Sequence, residues 1–252
     1  MIYTLAQHEC KLLGKSGKIF HLLAFCQSLL AFIAYWLLEE FYAKSQRSLL
    51  EQDTLVDITE GVLHPLFAWT ILLFFFITPL LAVSTFTQER KSHTLTLYLS
   101  APIETYHLVM GKFLGTFMAQ CFLLLPILGL SLLLALQHTL DGGQLLASYI
   151  GLFLFLGAIL SIAIGVASCC KEPLMATFLS FSVLLGFSLL EWVGRLVDPA
   201  CDYFAHFSLI YHCKNFLSGI LSSQDLIYYV LVMISSLAFS IVRLKHESFF
   251  QR

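Results

Sequence analysis

FTQERKSHTLTLYLSAPIETYHLVMGKFL, residues Phe86 to Leu114, decides how the rest of the chain is read. It is a long polar interruption between two apolar runs, and it carries a helix pattern, a helix stop, a second helix start and a basic cluster. Thr85 or Thr87 predicts the cap of a helix beginning near Gln88, because a hydroxyl accepts from first-turn amides that have no partner inside the helix. Leu95, Tyr98 and Leu99 recur at helical spacing and give that helix an apolar side. Pro102 cannot continue it but suits the first turn of a new helix, with Glu104 in the same turn facing the positive end of the helix dipole. The stretch predicts a structured knuckle joining two apolar helices.

Outward from the knuckle, the composition is that of a membrane protein. Of 252 residues, 58% are hydrophobic and 12% charged, far more apolar than the core of a soluble domain requires. A net charge of -2 offers no basic face for phosphates and argues against nucleic acid as a partner. The seven cysteines, Cys10, Cys26, Cys121, Cys169, Cys170, Cys201 and Cys213, show no CxxC pair and no metal-finger spacing. Lys11, Lys15 and Lys18 precede the first apolar run as they would in a signal peptide, but the run exceeds the roughly 7 to 15 residues of a cleavable core and reads as a retained span.

Six apolar segments, approximately 19–38, 62–83, 113–136, 145–168, 174–190 and 226–244, are of the order that crosses a hydrocarbon core of roughly 30 Å. The expected fold is all-α and integral to the membrane, a single domain over 1–252 with six transmembrane helices, an amino-terminal interfacial helix and the helical knuckle between the second and third spans. Ile2, Leu5, Glu9, Leu12 and Leu13 share one face of that first helix, four of the five apolar, with lysines nearby, which suits the membrane surface. Glu39 to Gly61 reads as an exposed loop or short surface helix. Pro79 sits near the exit of the second span, where a kink costs less than at mid-membrane. Lys112 would cost about 2.5–3.5 kcal/mol at the bilayer centre, so it is expected at the boundary, with the third span starting at Phe113 and bent by Pro126. Asp141, Gly142 and Gly143 make a turn. Gly157, Ser161 and Gly165 repeat every four residues in the fourth span and let another helix approach closely. Residues 191–225 mix charges and aromatics too often for a crossing.

Lysine and arginine placement orients the chain. With the amino end inside, Lys11, Lys15, Lys18, Arg90, Lys91, Lys112, Lys171, Arg243, Lys245 and Arg252 are cytoplasmic, against Lys44, Arg47, Arg195 and Lys214 outside. This bias predicts both termini and the knuckle in the cytoplasm.

Few residues offer chemistry. Gly14-Lys15-Ser16 resembles the end of a phosphate loop, but Glu9 stands where the first glycine belongs and no buried strand precedes it. His8-Glu9 and His246-Glu247 lack the second histidine of a zinc-protease helix. Tyr211-His212-Cys213, with His206 and Cys201 nearby, offers ligands for a metal or haem in an oxidising compartment, or a Cys201–Cys213 disulfide, but interfacial aromatics with a histidine among them are the commoner case. No span carries Lys, Arg, Asp or Glu at its middle, whereas ion-coupled carriers need buried ionisable groups or broken helices. A chain that moves something without such a relay takes its energy from a partner.

The chain resembles the membrane subunit of type-two ABC exporters, in particular the gliding-motility and copper-maturation permease branch. Phe86, Glu89, Arg90, Lys91, Thr94, Leu95, Leu97, Leu99, Pro102, Gly111, Lys112 and Phe113 carry the likeness. Asp141 and Gly142, Tyr149 to Gly151, Phe216 to Gly219, Asp225 and Tyr228 extend it more loosely, and Gln88, His93 and Thr96 depart from the usual residues. The resemblance implies a permease that is not itself an enzyme, with no cofactor of its own, since ATP and magnesium would be handled by a separate ATP-binding cassette subunit. It implies a coupling helix over 88–99, with Gln88, Glu89, Arg90, Lys91, His93, Thr94 and Leu95 contacting that ATPase subunit. It further implies a second permease copy or a homologous permease as partner, a lipid environment, and the bacterial cytoplasmic (inner) membrane. The alternatives are a membrane-embedded enzyme or metal- or haem-handling protein using His206, His212 and Cys213 at the outer face, and a structural membrane anchor.

Overall fold

The computed structural model describes residues 3, 4, 6, 7, 9, 17–51, 58–91, 105–137, 141–197 and 205–250. Among these the chain is 95% helical and has no strand, and six helices are long and apolar enough to cross a membrane. The protein is a multi-pass, all-α membrane protein. In order, α1 spans Gly17–Glu51, a π-helical turn Thr59–Leu63 leads into α2, His64–Lys91, and α3 spans Thr105–Cys121. A 3-10 turn, Phe122–Leu124, joins α3 to α4, Leu125–Gln137; α5 is Gly142–Cys169 and α6 is Pro173–Val197. A second 3-10 turn, Ala205–Phe207, precedes the short α7, Leu209–Leu217, and α8 is Ser223–Phe250.

Helix α5 is the centre of the bundle and packs against α2, α3, α6, α7 and α8. Its most apolar stretch is 78% buried, against 22%, 17% and 22% for α1, α6 and α8, whose outer faces are left to the membrane. Small residues make that centrality possible. A Cβ added at Gly151 would lie 2.4 Å from Cβ of Phe216, and one at Gly157 would lie 2.7 Å from Sδ of Met233. Asp141 caps the helix by accepting from the Gly143 amide at 3.0 Å.

Two expectations change. Residues 39–51, expected as a loop or a short separate helix, continue the first helix: α1 runs unbroken to Glu51, 35 residues or about 52 Å, well beyond a roughly 30 Å core. No glycine or proline interrupts 39–51, and Glu40 pairs with Lys44 one turn on at 2.7 Å. No helix starts at Gln88 under a threonine cap either. Helix α2 continues through to Lys91, and the Thr87 hydroxyl donates back to the Val83 carbonyl at 2.5 Å instead of accepting at an N-terminus. Helix α3 starts at Thr105, ahead of the span start expected at Phe113, and Lys112 within it is 1% exposed.

Prolines shape two of the spans. Pro126 has no amide hydrogen for the Phe122 carbonyl, which takes the Leu125 amide one residue earlier and so tightens the chain into the 3-10 turn between α3 and α4. Pro79 lies inside α2 and likewise offers nothing to the carbonyl of Phe75. Helix α7 buries Leu209, His212, Cys213 and Phe216, one face at helical spacing. It ends on Gly219 at φ +81, with the Gly219 amide donating to Phe216 O and the Ile220 amide to Asn215 O, a left-handed stop that favours glycine.

Candidate functional site

Helices α2 and α3 flank residues 92–104, so the knuckle is held by whatever anchors the end of α2 and the start of α3. Gln88, Glu89, Arg90 and Lys91 form the last turn of α2; His93, Thr94 and Leu95 lie outside the described residues.

Arg90 turns inward. One guanidinium nitrogen donates to the Cys170 carbonyl at 2.6 Å, the other to the Ser168 carbonyl at 2.7 Å and to Oε2 of Glu247 at 2.5 Å. The physical reason is the end of α5: its last carbonyls have no amide partners and carry the negative end of the helix dipole, which a planar fork of donors satisfies well. The side chains of Arg90 and Glu247 are only 11% and 29% exposed, so water competes weakly, and hydrogen bonds to a charged group contribute about 1.5–3 kcal/mol. One side chain thereby fastens the end of α2 to α5 and to α8. The Cys170 thiol beside it is pushed up by burial and by Cys169, an effect that Arg90 partly offsets.

Lys112 is the second anchor. Its ammonium donates to Oε1 of Glu9 at 2.7 Å and sits 5.2 Å from the centroid of the Phe86 ring. With the two side chains 2% and 11% exposed, this is a buried, charge-assisted hydrogen bond, of a kind that contributes about 1.5–3 kcal/mol. Gly115, a turn further on, makes the approach possible: a Cβ there would lie 2.6 Å from Cβ of Glu9 and 2.9 Å from the Ala6 carbonyl. The amino-terminal helical residues are thus pressed onto the root of α3, while Phe86 brings the end of α2 to the same charge.

Both anchors rely on residues outside the expected contact set. Glu9 was visible as the polar member of an otherwise apolar helix face, and Lys112 as a lone charge at the edge of a span, yet nothing in the local pattern joins two residues 103 positions apart. Glu247 gives no local signal. Gly157, Ser161 and Gly165 lie on α5 toward α8: Gly157 against Met233, Gly165 with its missing Cβ 3.5 Å from the Ser236 carbonyl, and Ser161 buried with its hydroxyl on the Ala158 carbonyl. An uncharged groove of about 280 Å3 opens beside them, between α5, α6 and α8, lined by Ile162, Val166, Val183, Phe187, Val232 and Phe239 among others.

At the opposite end of α5, the histidines are engaged structurally. Nδ1 of His212 faces Oδ1 of Asp225 at 2.5 Å and Nε2 faces the His206 carbonyl at 2.8 Å, so neither ring nitrogen is left for a metal. The ring stacks on Tyr228 at 4.1 Å, and Asn215 donates to the other Asp225 oxygen at 3.1 Å. Cys213 is a free, buried thiol, pushed up by that burial to about 12, which makes it a poor nucleophile. Among the described residues no group of three His, Cys, Asp or Glu is placed to hold a metal ion; Cys201 lies outside them. This cluster fastens α7 to the start of α8.

Compared with known families, the chain matches the model of the ABC-2 family transporter proteins over residues 6–239. No curated protein matches it.

Proposed function

That the chain belongs to the ABC-2 transporter family, as the membrane permease component of an ABC transporter, is the premise from which we propose that its 88–99 segment is the coupling element driven by a separate ATPase subunit. ABC-2 permeases work with an ATP-binding cassette subunit; the proposal concerns where that subunit grips this chain and how the push is carried inward.

The observation that carries the reading is the grip of Arg90. ATP can drive a permease only if its bound and unbound forms interact differently with the membrane part, and a force on 92–104 must then leave through the ends of α2 and α3. Arg90 links one of those ends to α5 and α8, and Lys112 links the other to the amino-terminal segment. In this division of labour Gln88, Glu89, Lys91, His93, Thr94 and Leu95 meet the ATPase, and Arg90 carries the displacement into the bundle. The same reading places both termini and the knuckle in the cytoplasm, the chain in a bacterial inner membrane, a second permease beside it, and the chain in the gliding-motility and copper-maturation branch.

Membrane-impermeant labelling of a cysteine placed at Ser92, in sealed vesicles of known orientation, tests the topology: labelling from the cytoplasmic face supports the reading and labelling from the outside overturns it. Co-purification tests the division of labour. Glu89→Ala with Lys91→Ala releases the ATPase subunit, whereas Arg90→Ala retains it but makes ATP turnover insensitive to the permease. If Arg90→Ala keeps both partner and response, Arg90 is not the transmitting contact.

A further inference from the structure

Halfway along the hairpin that holds the knuckle, α2 and α3 share a hydrogen bond inside the membrane-spanning region: Nε2 of Gln120 donates to Oγ1 of Thr78 at 3.1 Å, with both residues fully buried. A glutamine amide has two acceptor sites and two donors, and this one bond leaves it far from satisfied. Its Oε1 is buried and accepts from no described residue. Turning the amide over does not help, because one of its two polar atoms always faces away from Thr78.

The backbone lacks a regular helical donor at the same level. Thr78 directly precedes Pro79, which has no amide hydrogen for the carbonyl of Phe75, and Phe75 and Thr78 lie one above the other on α2. Ordered water is one of the partners that re-satisfy proline-freed carbonyls within membranes, beside Ser/Thr side chains and a local 3-10 adjustment, and a buried water needs two to four polar partners. Gln120, Thr78 and the Phe75 carbonyl provide three.

Position gives the site its meaning. Gln120 is two residues before the 3-10 turn that interrupts α3 and α4, and Thr78 adjoins the proline that interrupts α2. The side-chain bond therefore joins the weakest points of both helices, where bending has an identifiable cause. Toward the knuckle, Lys112, Phe86 and Glu9 hold the two helices together. On the other side, Ser131 of α4 bonds to Tyr149 of α5 at 2.8 Å, and Phe67 of α2 packs on the same tyrosine ring at 5.4 Å.

We propose that Gln120, Thr78 and the Phe75 carbonyl bind one water molecule within the membrane-spanning region, and that this wetted contact is the pivot on which the knuckle end of the α2–α3 hairpin swings. The pivot rests on the coupling reading for its purpose, but its existence is tested on the chain alone, with no ATPase present, so the two fail separately. A dry apolar contact would set the hinge rigidly; a water can exchange hydrogen bonds with either helix as α2 straightens or bends.

The full chain is placed in lipid nanodiscs with 15N-labelled glutamine, and magnetisation transfer from water to side-chain amides is recorded. The wild type shows a water cross-peak at the Gln120 amide. Gln120→Met abolishes it and so assigns it, and Thr78→Val, a smaller change that guards against misfolding of the first variant, weakens it. Spin-labelled residues at the exposed positions Leu72 and Tyr106 then report the distance across the pivot: Pro79→Ala, which returns an amide to Phe75, narrows the distribution. A Gln120 amide with no contact to water overturns the site, and a distance distribution unchanged by Pro79→Ala overturns the pivot.

Discussion

The Arg90 end and the His212 end of the molecule are both closed by buried polar contacts, but the contacts made by their charged side chains differ in reach. At the His212 end the contacts of His212, Asp225 and Lys214 join partners 13, 10, 6 and 23 positions apart, within the stretch from α6 to the start of α8, and the longer ties there, Ser148 to Phe216 and Gln144 to His64, 68 and 80 positions apart, use no arginine, lysine or carboxylate. At the Arg90 end they are 80, 78, 157 and 103 apart and join α2, α3, α5, α8 and the amino-terminal segment. Bonds between near neighbours stiffen one corner. Bonds between distant elements make those elements move together, and that is the property a transmitting joint needs.

Four substitutions break or sharpen this contrast. The largest effect is expected from Glu9→Ala, which takes a buried charged hydrogen bond from the Lys112 ammonium and costs about 1.5–3 kcal/mol in stability, read as a fall in the detergent-solubilised unfolding midpoint. Replacing both partners, Glu9→Met with Lys112→Met, recovers part of that loss by removing both buried charges together; if the double variant is no better than the single, the loss does not come from the Glu9–Lys112 pair. Next comes Asp225→Ala, which removes the carboxylate from both His212 and Asn215 and costs about 1–3 kcal/mol, yet leaves the permease's effect on ATP turnover unchanged. A lost ATP response would erase the distinction between the ends.

Smaller in stability but larger in function is Glu247→Gln. It keeps an acceptor for Arg90 but removes the charge, so it costs about 0.5–1.5 kcal/mol and reduces, without abolishing, the response that Arg90→Ala eliminates. The smallest effect belongs to Lys214→Ala at the His212 end. Its ammonium bonds to Glu191 at 2.8 Å but is 57% exposed, so about 0–1 kcal/mol is expected, shrinking further as salt is raised. A loss that persists in high salt would show the pair to be shielded from solvent.

Much of the architecture could be read from the sequence because membrane helices announce themselves by length and apolarity. The six spans, the Asp141 turn and the irregularity at Pro126 follow from local chemistry that the rest of the protein has little power to override. What could not be read was pairing at a distance. Thr87 has the hydroxyl of a cap, but a threonine inside a continuing helix bonds to the carbonyl four residues back, and nothing local decides between the two. Glu39 to Glu51 looks like a loop by charge and is a helix because nothing stops it. His206, His212 and Cys213 have the spacing of ligands, and only the return of Asp225 from the next helix shows that the ring is already engaged. Arg90 was read as a surface residue of the knuckle; its inward grip depends on the end of α5 being close by.

The central claim is that the 88–99 segment transmits the work of a partner ATPase, and ATP hydrolysis by that subunit in vesicles, with and without this chain, tests it most directly. The account predicts that wild-type chain changes the turnover, whereas chain carrying Glu89→Ala, Arg90→Ala and Lys91→Ala leaves it at the rate of the ATPase alone. Turnover that responds to the triple variant as it does to the wild type would contradict the account.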